Sequence, residues 1–233
     1  VLDPGSGTGY PALLGAQTVG QNGRVIGLDL AEQMLAAAQR KATALCLNNI
    51  TFRTGDVTAL PFEAASFDAV TSRFCLMFLP EIPKATAEIA RVLKPGAWLS
   101  AAVWSAPEKN PYLMIPITII KQFLELPPPD PHAPGIFRLA KRADLADMLR
   151  QTGLVDIAEE EFLAEVRFAS GEEYCASLMD LAAPIQNLFA KLSPPQQTEA
   201  RNRIVASAGQ HRKDGGIALP IAVRMLAARK PHG

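Results

Sequence analysis

Val1-Leu2-Asp3-Pro4-Gly5-Ser6-Gly7-Thr8-Gly9 decides the reading of this chain. Two apolar residues and an acid read as the end of a strand, and three alternating glycines follow. Behind them lies a helix-like stretch, Tyr10 to Thr18, in which Pro11 suits a first turn. Glycines between a strand and a helix let the backbone approach a ligand closely. The free N–H groups at the helix start then favour an anionic group. The same cluster also makes an ordinary tight turn, so the loop alone leaves both readings open.

The rest of the first half repeats this strand-then-helix rhythm. Asn22-Gly23 signals a turn before the apolar run Arg24 to Asp29. Strong helix formers fill Glu32 to Cys46. Ile50 to Arg53 reads as a strand closed by Gly55-Asp56, and Phe67 to Ser72 as another. Glu81 to Leu93 is helical and stopped by Lys94-Pro95-Gly96, and Ala97 to Trp104 is a fifth strand. Such alternation implies a doubly wound, mostly parallel α/β sheet with helices on both faces and right-handed crossovers. Residues 1–105 are therefore expected to form the ligand-binding half of one domain.

After Trp104 the rhythm breaks. A helix-like piece, Leu113 to Leu124, runs into Pro127-Pro128-Pro129-Asp130-Pro131, which cannot continue a helix. Residues 106–139 thus read as an insertion that could act as a lid. Residues 140–233 are expected to complete the same domain. There, Asp144 to Gln151 is helical with Gly153 as its cap, and Leu154 to Phe168 is extended. Ser170-Gly171-Glu172-Glu173 and Ser193-Pro194-Pro195-Gln196 are capping boxes, and Ile217 to Arg229 is a last strand.

Acids recur at the ends of the early strands. Asp29 closes the second strand, 20 residues after Gly9, where a carboxylate can accept both hydroxyls of a ribose. It could equally cap the helix that starts near Ala31. Asp56 closes the third strand, where a carboxylate can accept from an adenine amino group or simply form a turn after Gly55. Together with the glycine loop they mark the carboxyl edge at which open α/β sheets bind ligands. The glycine spacing, Gly5-x-Gly7-x-Gly9, departs from the GxGxxG of dinucleotide-binding loops, and no GxxxxGK[ST] phosphate loop occurs. Asp3 beside the loop would repel a pyrophosphate but suits a ligand with an ammonium group and a ribose, such as S-adenosylmethionine (SAM).

Composition narrows the remaining classes. The 233 residues are 48% hydrophobic and 20% charged, enough for a sizeable core and too little charge for a disordered chain. Lys+Arg and Asp+Glu both number 23, so no long-range pull on nucleic acid or an anionic membrane is indicated. The longest strongly apolar stretch, near Tyr112 to Ile120, is far short of the about 20 residues of a membrane span. Cys46, Cys75 and Cys175 form no CxxC pair, which favours a reducing, cytoplasmic setting, and three histidines build no His-rich metal site. The chain opens at Val1 with only three strand residues, where a buried strand normally has about five or six. A natural start further upstream, with room for a targeting signal, is therefore expected.

Val1–Gly9, Val25–Asp29, Gly55–Asp56, Ser66–Val70 and Arg91–Gly96 resemble the ordered motifs of class I SAM-dependent methyltransferases. Ala59-Leu60-Pro61-Phe62 followed by Ser66-Phe67-Asp68-Ala69-Val70, and Arg91-Val92-Leu93-Lys94-Pro95-Gly96, are similar to the small-molecule, type 11 branch that includes ubiquinone and menaquinone biosynthesis enzymes. The resemblance covers residues 1–105 and is only architectural beyond them. It implies a Rossmann-like, seven-stranded sheet in the order 3-2-1-4-5-7-6 with the last strand antiparallel. It also implies that Gly5, Ser6 and Gly7 approach the methionyl and ribose parts of SAM and that Asp3 lies near the ammonium. Asp29 would take the ribose hydroxyls, Leu30 and Met34 would flank the adenine, and Asp56 and Val57 would sit at its edge. Arg73 is a candidate near the methionine end, or a surface arginine. Ala31 departs from the family's usual Ser or Thr cap. In the family, residues upstream of the first strand supply one or two helices over the cofactor.

The activity implied is in-line methyl transfer to a small, apolar or aromatic acceptor. A general base is optional for such chemistry. His132 and His211 are the candidates, each with a solvated surface role as its alternative, and His232 lies at the chain end. Phe74, Met77, Phe78, Trp104 and Tyr112 could line an acceptor site or pack the insertion onto the sheet. Two rivals remain: an NAD(P)-dependent oxidoreductase, and a binding module that keeps the fold without catalysis.

Overall fold

The structure is a computed structural model that describes residues 1–125, 130, 133–181 and 183–232. Among these residues eight strands form one sheet: β1 (Leu2–Pro4), β2 (Val25–Asp29), β3 (Ile50–Thr54), β4 (Phe67–Arg73), β5 (Leu93–Trp104), β6 (Val155–Phe168), β7 (Arg212–Lys213) and β8 (Gly216–Arg229). Their order is β3-β2-β1-β4-β5-β8-β6, with β7 attached to β8. The expected sheet had seven strands. The added one is the two-residue β7, and without it the order reads 3-2-1-4-5-7-6 as expected. Asp214 (φ 51°) and Gly215 (φ 82°) form the two-residue turn that folds β7 antiparallel onto β8. Positive φ at both positions is what a tight hairpin requires, and Asp-Gly is its usual sequence.

Parallel pairing runs from β3 through β2 and β1 to β4 and β5. Short as it is, β1 pairs on both sides: Leu2 lies opposite Ile26 of β2 and Val70 of β4. Leu2 and Leu28 are fully buried, as strands covered on both faces require. β5 begins at Leu93 rather than at Ala97. Lys94-Pro95-Gly96 bulges within it, since Phe67 pairs with Leu93 but Ala69 pairs with Trp98. The bulge survives because Gly96 takes φ 79° and its N–H donates to the Lys230 carbonyl at 2.9 Å.

Among the described residues eight helices connect the strands: α1 (Ala12–Val19), α2 (Glu32–Ala44), α3 (Ile82–Val92), α4 (Pro111–Lys121), α5 (Asp144–Gln151), α6 (Gly171–Leu181), α7 (Ala183–Phe189) and α8 (Pro194–Ala208). The capping box of Ser193 and Gln196 is formed at α8, and Gly153 follows α5 at φ 84°. At α6 the Glu173 N–H donates to Ser170 Oγ, but the Glu173 carboxylate accepts from Ala169 rather than from Ser170. The short α7 carried no sequence signal that separated it from α6. The proline cluster, apart from Asp130, and His132 lie outside the described residues.

The chain forms two compact units. The first comprises Val1–Val103, Arg138–Glu160 and Arg224–Gly233, the second Trp104–Phe137 and Glu161–Val223. In the first, Ala12, Leu13 and Ala16 of α1 and Ala42 of α2 pack on Val25 and Ile50. In the second, α4, α6 and α8 surround a core that includes Ile120, Tyr174, Leu178, Ile204 and Leu219. Asn110 is fully buried at the head of α4. Its amide donates to the Ser105 and Ala106 carbonyls at 3.1 and 3.0 Å, and its Oδ1 accepts from Ala222 N–H at 2.9 Å. Among the described residues no helix is long and apolar enough to cross a membrane.

Candidate functional site

The glycine loop leaves β1 with Gly5 (φ 77°), Gly7 (φ 51°) and Gly9 (φ 103°) all in the left-handed region. Two of these positions do different jobs. A Cβ on Gly5 would meet Cys75 Sγ at 2.2 Å, so Gly5 is there because the chain after β4 packs against the loop from below. A Cβ on Gly7 would meet only Met34 Sδ, at 3.8 Å, so Gly7 faces open space beside α2. Ser72 Oγ donates to the Pro4 carbonyl at 3.1 Å and fastens the loop's first turn to β4.

Asp29, at the end of β2, reaches back to this loop. Its Oδ2 accepts from Gly7 N–H at 2.8 Å and its Oδ1 from Ala31 N–H at 2.9 Å. The N-cap of α2 is Ala31, which has no side-chain cap, and Asp29 holds that residue's own N–H rather than capping the helix. Each carboxylate oxygen retains a second lone pair for another donor. Leu30 and Met34 stand exposed beside it, at 66% and 39% of their full surface. Asp56, after β3, is exposed, and its Oδ1 accepts from Thr58 N–H at 2.8 Å. That hydrogen bond holds its carboxyl below the usual carboxylate range. Val57 is buried behind it.

Asp3 differs from the other acids. It is fully buried, and its Oδ2 accepts from Ala12 N–H at 3.0 Å, tying β1 to the first turn of α1. Burial pushes its pKa up to about 7 against the opposing effects of the Ala12 hydrogen bond and the Arg73 charge. Among the described residues, Asp3 Oδ1 and the hydroxyl of the buried Ser6 have no hydrogen-bond partner. Arg73 is exposed at the end of β4, where it donates to the Tyr10 carbonyl at 3.3 Å and lies over the Phe74 ring.

The first unit therefore brings Asp3, Gly5, Ser6, Gly7, Asp29, Leu30, Met34, Asp56, Val57 and Arg73 to the carboxyl ends of β1 to β4. The aromatic candidates divide between the units. Met77 is fully buried in the first, where it belongs to the packing, and Phe74 and Phe78 are partly exposed near it. In the second, Tyr112 stacks on Phe168 at 6.2 Å and tilts against Trp104 and Tyr174 at 6.5 and 5.8 Å. His211 follows α8 in the second unit, and His232 lies close to Gly96 in the first.

Sequence reasoning did not find Cys75, whose thiol supports Gly5 and is pushed up to about 12 by burial and by Asp29 and Asp3. Only the steric demand of Gly5 points to it. Nor did it find that Glu88 and Arg91 of α3 bind the Leu60-Pro61-Phe62 segment. Both of these motifs were visible separately, and their contact needs the fold.

A sheet of this order, with a glycine loop after β1 and acids after β2 and β3, has the class I methyltransferase fold. Residues 1–96 match a family model described as a methyltransferase domain. The demethylmenaquinone methyltransferase of Lactococcus lactis is 39% identical over 126 residues, 54% of this chain and 47% of that protein. The chain thus spans about half the length of the curated relatives it matches. YcgJ of Bacillus subtilis aligns with a TM-score of 0.64 at 21% identity, covering 100% of this chain and 92% of that one. A phosphoethanolamine N-methyltransferase of Haemonchus contortus, solved with phosphomonomethylethanolamine and S-adenosylhomocysteine, aligns with a TM-score of 0.59 at 21% identity, over 99% of this chain and 49% of that one. At these identities the two solved structures share the fold with this chain, and nothing finer.

Proposed function

We propose that this chain binds SAM at the carboxyl ends of β1 to β3 and transfers its methyl group to a small apolar or aromatic molecule. The observation that carries this reading is the joint seat of Gly7 and Asp29, an open backbone loop held by a carboxylate that keeps free lone pairs. That arrangement fits a ribose, and the orphaned Asp3 Oδ1 and Ser6 Oγ beneath the loop fit a ligand with its own donors. The group would supply a methyl on a sulfonium sulfur, already activated for displacement. The protein's part is positioning, which can be worth about 7–11 kcal/mol. Asp29 would hold the ribose, Asp56 and Val57 the adenine edge, and Leu30 and Met34 its faces. A cation beside Asp3 would favour its ionised form.

Titration calorimetry with SAM and with NADH tests the reading. Heat from SAM and none from NADH is expected; tight NADH binding with no response to SAM would overturn it. Demethylmenaquinone is the first acceptor to assay, because it appears in the names of several relatives.

A further inference from the structure

We infer that the Glu88–Arg91 pair on α3 positions the adenine end of the nucleoside site, an inference that rests on the function proposed above. Between β3 and β4 lies a connecting strap, residues 55–66, that carries Asp56 near its start. One end of the strap is a turn. Thr58 N–H donates to Asp56 Oδ1 at 2.8 Å, and Ala59 N–H to the Asp56 carbonyl at 3.1 Å. The other end is gripped from α3. Arg91 donates through Nε and Nη2 to both oxygens of Glu88, at 2.6 and 2.7 Å. The same guanidinium donates to the Phe62 and Leu60 carbonyls at 2.7 and 3.0 Å. Glu88 Oε2 in turn accepts from Leu60 N–H at 2.8 Å.

An isolated surface ion pair contributes little to stability. This one is used differently, because each partner spends a hydrogen bond on the backbone of the strap. Leu60 is held through both its N–H and its carbonyl, and it directly follows Ala59, the last residue of the Asp56 turn. Val57, Thr58 and Leu60 are buried, so the intervening backbone has little freedom to absorb a shift. Moving the clamp therefore moves Asp56.

Asp56 is where such precision has chemical value. A carboxylate only accepts hydrogen bonds. It suits the 6-amino group of adenine and opposes the 6-oxo group of hypoxanthine. Discrimination between them depends on a carboxylate held within about 0.5 Å of its productive place. The clamp is a positioning device for that selectivity and touches no ligand itself.

The experiment compares S-adenosylhomocysteine with S-inosylhomocysteine by titration calorimetry, below the melting temperature, in the native chain and in Arg91→Lys, Glu88→Gln and Arg91→Ala. A lysine keeps the charge but loses the fork that spans two carbonyls and a carboxylate. In the native chain the adenine compound should bind at least tenfold tighter. In Arg91→Lys and Glu88→Gln that ratio should shrink to a few-fold, with the loss falling on the adenine compound. Should Arg91→Ala fail to fold, the two conservative variants still report the ratio. Equal losses for both compounds, or an unchanged ratio, would make the pair a structural staple and overturn the inference while the cofactor site stands. A native chain that binds both compounds equally overturns it too. A native chain that binds neither overturns the cofactor site itself.

Discussion

Asp3 keeps a proton in the folded protein that the unfolded chain gives up. An unfolded Asp ionises near pH ~3.9, whereas burial moves Asp3 to about 7. Between those values the folded state holds the extra proton, so stability falls as pH rises from about 4 to 7. Asp3→Asn should flatten that slope in urea unfolding measured across this range, while a slope equal to the native one would remove Asp3 as its cause. Asp29 acts on the fold and the ligand at once. Spacing alone expects Asp29→Ala to weaken cofactor binding with little loss of fold, but its hydrogen bonds to Gly7 and Ala31 argue for both effects. Cofactor affinity should drop about tenfold or more, and the melting temperature by about 4–8 °C. An unchanged melting temperature would show that those two bonds add nothing. Asp29 and Asp56 were legible because the first ends a strand and the second follows one closely. The burial of Asp3 was not, since it depends on where α1 starts in space.

At the scale of elements, Asn110 joins the end of β5, the head of α4 and β8, beside the Ser105 N–H that donates to the Ala222 carbonyl. Asn110 satisfies two carbonyls and the Ala222 N–H inside the second unit, and nothing there can be replaced by water. Asn110→Ala should destabilise the protein by roughly 2–5 kcal/mol, because each buried polar group left unpaired costs about 1–3 kcal/mol. Denaturant unfolding measures this; a loss below about 1 kcal/mol would mean the backbone relaxes to new partners. Strands and helices of the first half were legible because apolar runs, glycines and acids punctuate them. The start of β5 was not: Lys94-Pro95-Gly96 looks like a break, yet the strand passes through it as a bulge held by Lys230. The β7–β8 hairpin had a usable signal in Asp214-Gly215, hidden beside the more conspicuous Gly215-Gly216.

For the whole molecule, contiguity in sequence is a poor guide to compactness. The first unit needs three separate stretches of chain, and residues 138–160 and 224–233 return to it after long excursions. Arg138 donates to the Leu79 and Pro80 carbonyls, and Lys230 Nζ to those of Arg91 and Leu93. A fragment of residues 1–105, the half that sequence motifs single out, lacks all of these. It should show no cooperative thermal transition by circular dichroism and no heat with SAM. A sharp transition would establish it as a domain in its own right. The sheet order was legible only through the family that the motifs of the first half resemble; the later returns of the chain carry no motif at all.

Cys75 lies under the glycine loop with its sulfur where a Gly5 Cβ would be, whereas Cys46 is exposed just past α2 and Cys175 is buried in the second unit. The three thiols are thus unequal targets for a chemical label. A maleimide dye should mark Cys46 at once, giving a single fluorescent tag without mutagenesis. Cys75 is partly exposed but packed against the loop, so its labelling, separated from that of the buried Cys175 by peptide mapping, is a clock for loop opening. A ligand that seats on the loop should slow that clock, whatever its identity, which turns one cysteine into a screen for what this protein binds.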